Sequence, residues 1–147
     1  MKILKALLFF LFLYAYAAKA QIQSPFFVDV TQSSQEKVFE HTLQLLFDSR
    51  YFIQSADKAS GLIKCKTVVP DKRMFSSKNG DVLEFNLLIR AIHADTVRIH
   101  VQTNVIEKQR TGSVGNMGLY NNDLGVSSDP KYYRAILAFL KQRLTSN

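Results

Sequence analysis

Apolar positions recur along this chain with two different periods, and the places where the period changes mark its elements. Val38, Thr42, Leu45, Leu46 and Ser49 fall on one side at helical spacing, with Phe39 and Leu43 widening the apolar stripe. Directly ahead, Ser33-Ser34-Gln35-Glu36 has the form of a capping box, in which the Ser33 hydroxyl accepts from the Glu36 amide while the Glu36 carboxylate reaches back. A helix is therefore predicted from there to about Asp48. Near the other end, Tyr133, Ile136, Leu137, Leu140 and Leu144 stand at i, i+3, i+4, i+7 and i+11, and Asp129-Pro130 supplies an N-cap and a first-turn proline. This predicts the last helix.

Between the two helices the period drops to two. Tyr51 to Ser55 is a short β-rich run, Asp57 to Gly61 carries turn residues, and Ile63, Cys65, Thr67 and Val69 then alternate with Lys64 and Lys66. That is a hairpin, stopped by Pro70, which has no amide hydrogen to donate. A polar connection closing on Asn79-Gly80 leads into Leu83, Phe85, Leu87, Ile89 and Ala91 at one parity. After His93, Ala94 and Asp95 come Val97, Ile99, Val101, Thr103 and Val105 at one parity. A two-residue turn at Ala94-Asp95 in a regular ladder sets Ile89 against His100. A turn of about three residues instead sets Ile89 against Ile99 and Leu87 against Val101, so the odd turn is expected. Residues 109–128 hold Gly112, Gly115, Gly118, Gly125, Asn116, Asn121 and Asn122 with few apolar side chains, and are expected to form a flexible loop. Residues 21–32 form a lead in which Phe26, Phe27, Val28 and Val30 offer an edge strand. The expected fold is one α+β domain over residues 33–147, in two layers: a four-stranded antiparallel sheet with two helices on one face, in the order α-β-β-β-β-α.

The first twenty residues read differently from the rest. Lys2 and Lys5 precede the apolar run Ala6 to Tyr14, and small residues follow at Ala15, Ala17, Ala18 and Ala20. These are the parts of a secretory signal, with the cut expected between Ala20 and Gln21 and the mature protein periplasmic or secreted. The run is shorter than the roughly twenty apolar residues of a spanning helix, so no stable membrane insertion is expected after cleavage. The residue directly after the cut is Gln21 and not a cysteine, so no lipid anchor is expected. Loss of Lys2, Lys5 and Lys19 from nineteen basic residues leaves sixteen against twelve acidic ones, +4 in place of +7. A charge this small and this dispersed argues against a nucleic-acid partner. Cys65 is the only cysteine, so no disulfide within the chain supports the fold.

Candidate chemistry is sparse. His41, His93 and His100 share no metal-ligand spacing. Cys65 has the parity of the buried face, which disfavours a nucleophile. Gly112-x-x-Gly115-x-x-Gly118 is not a phosphate-binding fingerprint, and no cofactor is expected. The outward parity of the long strands is more suggestive. Leu88, Arg90, Ile92, Arg98 and His100 lie there with Ile106, Asn86 and Gln102, and the loop adds Met117, Leu119, Tyr120 and Leu124. Together they form a candidate docking surface for an envelope protein or an acidic partner, with Lys72, Arg73, Lys78, Arg90, Arg98 and Arg110 giving the bias toward acidic groups. The expected function is a non-enzymatic exported binding domain. The alternative is a small periplasmic hydrolase or transferase using residues 109–128 as a lid over His93 and His100.

The stretch Val38 to Thr67 combines a capped helix, Tyr51-Phe52-Ile53, a polar turn with Asp57, and Gly61-Leu62-Ile63. It resembles small exported bacterial envelope domains with a TBP-like or helix-grip fold, the DUF4468-type proteins and BamC-like domains. The resemblance implies a periplasmic or secreted domain of the bacterial envelope and carries no catalytic residues with it.

Overall fold

The computed structural model describes residues 25–71, 78–111 and 118–145. The expected export signal 1–20 with its cut at Ala20 and Gln21, and Lys72, Arg73, Gly112, Gly115, Asn116 and Met117, lie outside the described residues. The elements run β1 (Phe27–Thr31), α1 (Gln35–Asp48), β2 (Phe52–Asp57), β3 (Leu62–Val69), β4 (Lys78–His93), β5 (Thr96–Thr111), β6 (Gly118–Val126), a 3-10 turn (Pro130–Tyr132) and α2 (Arg134–Thr145). The class is α+β, but the sheet has six strands, not four. Its order is β1-β5-β4-β3-β2, with β6 also on β5 and each pairing antiparallel. Among the described residues no helix is long and apolar enough to cross a membrane.

Of the two extra strands, β1 arises from the lead, where Phe27, Val28 and Val30 offered an edge strand. Residues 118–126 correct the expected loop: they pair with β5 from Asn104 to Thr111. Asn, Asp and Gly are poor strand formers, yet an open β5 edge offers a row of main-chain groups that need partners, and those hydrogen bonds outweigh the local preference.

The long hairpin has the register that its apolar alternation requires, with Ile89 opposite Ile99 and Leu87 opposite Val101. The turn is a correction. His93 pairs with Thr96, so only Ala94 and Asp95 lie between, and the odd residue is taken up by an irregularity between Ala91 and His93. A bulge at Ile92 does what the three-residue turn was expected to do. The first helix is capped one residue later than its sequence suggests: Ser34, extended at φ −88° and ψ 154°, accepts from the Lys37 amide at 3.4 Å. Glu36 does not close a capping box, because its carboxylate goes to Lys58. Arg50, left-handed at φ 64°, ends α1 by letting the Tyr51 amide reach the Leu46 carbonyl at 3.0 Å.

Both helices pack on one face of the sheet. Val38, Phe39, Thr42 and Leu46 of α1 and Ile136 and Leu140 of α2 meet the inward residues Ile63, Cys65, Phe85, Leu87, Ile89, Ile99 and Val101 in one core. The cover is short. A helix of 14 residues is about 21 Å long, whereas strands of 16 residues reach about 53 Å. One end of the sheet therefore projects past the helices, leaving Val68, Val69, Leu119 and Leu124 exposed.

Two strands share one side of β5. β1 takes Thr96 to His100 and β6 takes Asn104 to Thr111, in line and running the same way. They meet at a seam beside Thr103. Val101 donates to the Phe26 carbonyl and Ser127 donates to the Thr103 carbonyl, both at 2.9 Å. The Tyr133 hydroxyl fills the space between, accepting from the Thr103 amide at 3.3 Å and donating to the Ser127 carbonyl. Phe26 stacks on the Tyr133 ring at 3.6 Å between centroids.

Candidate functional site

The face of the sheet on which no described helix packs is built from rows of directly opposed residues. One row runs Leu62, Leu88, His100, Phe27; the next runs Arg90, Arg98, Asp29. On the other side of the first row lie Lys64, Asn86 and Gln102, then Lys66, Glu84 and Asn104. The alternation that buries Leu87, Ile89, Ile99 and Val101 turns these residues outward. Leu88, Arg90, Arg98 and His100 are thus brought together as their parity implied. Ile92, in the bulge beyond Arg90, is half-buried.

Of the loop's share of the expected surface, Leu119 and Tyr120 lie elsewhere. Leu119 pairs with Arg110 and Tyr120 with Gln109, about ten residues along β5 from His100, or about 33 Å. Because 118–126 continues the sheet in line instead of folding back over its face, Leu119 and Tyr120 do not join Leu88, Arg90, Ile92, Arg98 and His100 in one patch. Tyr120 also has the opposite parity to Leu119, and its hydroxyl donates to Gln109. The lid of the enzyme alternative fails for the same reason over 118–126.

The charges on this face are not equally available. Arg98 grips Asp29 with two bonds, Nε to Oδ1 at 2.7 Å and Nη2 to Oδ2 at 2.8 Å, and lies over the Phe27 ring at 3.8 Å. The hydrogen bond from Arg98 holds the Asp29 carboxyl below its ordinary value, and Asp29 in turn raises Arg98. Arg98 is therefore already neutralised within the chain and is a poor partner for anything else. Arg90, opposite it, meets no carboxylate among the described residues, and neither does Lys64. Lys66 sits over the exposed Phe52 ring at 5.0 Å. Glu84 is bridged by Gln54 and Asn104, each at 3.3 Å. Phe27, Leu62, Lys64 and Phe52 were missed as members of this surface. The signal that finds them is register: once β1 is set beside β5, β3 beside β4 and β2 beside β3, their residues of matching parity fall on the same face.

Cys65 is fully buried, and burial pushes its thiol up to about 12, so it offers no thiolate near neutrality. His41 is exposed on α1 and His93 at the end of β4. The His100 Nδ1 is buried with no hydrogen-bond partner among the described residues, its ring 6.2 Å from that of Phe27. Among the described residues no three His, Cys, Asp or Glu side chains are grouped to hold a metal. No protein-family model matches the chain, and no curated protein matches it.

Proposed function

We propose that this protein is a non-enzymatic binding domain of the bacterial envelope, exported after loss of its first twenty residues, and that its uncovered sheet face docks an acidic protein partner. The observation that carries the reading is the apolar pair Leu62 and Leu88 beside cations with no carboxylate partner among the described residues, Arg90 and Lys64. Burying apolar surface there yields about 25 cal/mol per Å². Arg90 and Lys64 select for acidic groups and speed encounter. Arg98, held by Asp29, shapes the rim instead of contributing charge.

The test is capture of a partner from envelope extract by the protein and by a Leu88→Ser, Ile92→Ser double variant. The expected result is capture by the former and loss by the latter, with thermal midpoints nearly equal, and capture that weakens with salt. Arg90→Glu alone should reduce capture without change in fold. Equal retention by the double variant overturns the reading.

A further inference from the structure

On the opposite side of the sheet, where the helices lie, the first half of α1, the β1–α1 link and the end of α2 enclose a cleft of about 290 Å³. Lys37 and His41, one turn apart on α1, line it with Arg143 from the last turn of α2. Among the described residues no acidic side chain lines it. The charges of α1 are sorted by direction. Glu36 and Glu40, each one residue before a basic one, turn to the other flank, where both bind Lys58 at 2.5 and 2.7 Å. That leaves Lys37 and Arg143 without a carboxylate partner among the described residues. Three groups able to carry positive charge thus line one space from two helices, which favours an anion there.

The rest of the lining narrows the anion. Thr31 and Ser33 bring hydroxyl donors, on either side of Gln32, whose left-handed backbone (φ 57°) turns the chain into α1. An anion with three acceptor oxygens uses a fork-shaped guanidinium, an ammonium and hydroxyls together better than a carboxylate with two. The floor is apolar: Val30 and Val38 are buried and Leu144 is half-buried. We propose that this cleft binds a phosphomonoester carrying an apolar arm, its phosphate between Lys37 and Arg143 and its arm on Val30, Val38 and Leu144. The site lies on the other face from the docking surface, and it stands or falls separately from it.

Chemical-shift titration of the protein with phenyl phosphate, inorganic phosphate and benzoate tests the proposal. Phenyl phosphate should shift the amides of Lys37, His41 and Arg143 and bind more tightly than either of the others. Lys37→Gln with Arg143→Gln should weaken it by about tenfold or more, while Lys64→Gln on the far face leaves it within about twofold. Both changed positions are exposed, so an unaltered thermal midpoint confirms that the variants fold. Cosedimentation with phosphatidylcholine vesicles, with and without phosphatidic acid, separates the sources. Dependence on phosphatidic acid, Lys37 and Arg143 assigns a lipid, and phenyl phosphate binding without it assigns a soluble ester. Absence of shifts up to about 10 mM phenyl phosphate overturns the proposal. Equal affinity in the double variant, or benzoate binding as well as phenyl phosphate, also overturns it.

Discussion

The two ends of the β4–β5 hairpin are built from the same strands and behave as different materials. At the turn end, Leu87, Ile89, Ile99 and Val101 are fully buried beneath α1 and α2. At the other end the ladder continues to Lys78 and Thr111 beyond the reach of the two helices, and β6 beside it exposes Leu119, Leu124 and Val126. Alternation decides which face a strand residue takes; the length of the helices decides whether that face is covered. The covered end owes its stability to packing. The projecting end owes its order to main-chain hydrogen bonds to neighbours on either side.

This contrast makes its sharpest prediction for truncations. Leu87→Ala removes a fully buried side chain and should cost about 2–5 kcal/mol in urea unfolding. Leu119→Ala, at the exposed end, should change stability by no more than about 0.5 kcal/mol. Similar losses at both would mean that the projecting end is packed against something. The same substitution at two left-handed glycines sharpens the point. An added Cβ at Gly61 (φ 70°) comes within 2.3 Å of the Ile89 carbonyl oxygen, where the hairpin turn closes on β4, whereas one at Gly125 (φ 73°) meets nothing within 4 Å. Gly125→Ala should cost about 1–2 kcal/mol for the backbone alone. Gly61→Ala should cost more, because the turn must also move.

Tyr133→Phe keeps the ring against Phe26 but takes the hydroxyl from the seam, leaving the buried Thr103 amide without its acceptor. The expected cost is about 1–3 kcal/mol. Hydrogen exchange should speed up at Thr103 and Ser127 while Leu87 stays protected; unchanged exchange at Thr103 would show that the hydroxyl is not what closes the gap. The smallest effect concerns pH. Asp29 has a lower pKa folded than its unfolded value of about 3.9, so its pair with Arg98 stabilises fully above that value. The contribution is lost as pH falls through the folded value. The gap in urea midpoint between the protein and Asp29→Asn should therefore be flat above about pH 5 and close below about pH 4.

Sequence pattern and structure agree where burial leaves a periodic trace. The stripes of α1 and α2 and the pairing of Ile89 with Ile99 follow directly from apolar spacing. They diverge where a neighbour supplies the reason for a conformation. Gly118 to Val126 reads as a loop because Asn121, Asn122, Asp123 and Gly125 lack strand preference, and only the open edge of β5 makes it a strand. The bulge at Ile92 leaves no mark in composition either. For the candidate site, parity located Leu88, Arg90, Arg98 and His100 on one face. It did not give distance along the sheet, which separates Leu119 and Tyr120, nor the bond to Asp29 that takes Arg98 out of play.

The seam beside Thr103 also limits how far an error can travel. Because β1 and β6 abut end to end, a residue inserted in β6 slips its own pairing and goes no further; Phe27 to Thr31 stay in step with β5. A single unbroken strand would pass the same slip along its whole length. The border is thus a splice of two independently aligned pieces, with one phenol as the pin.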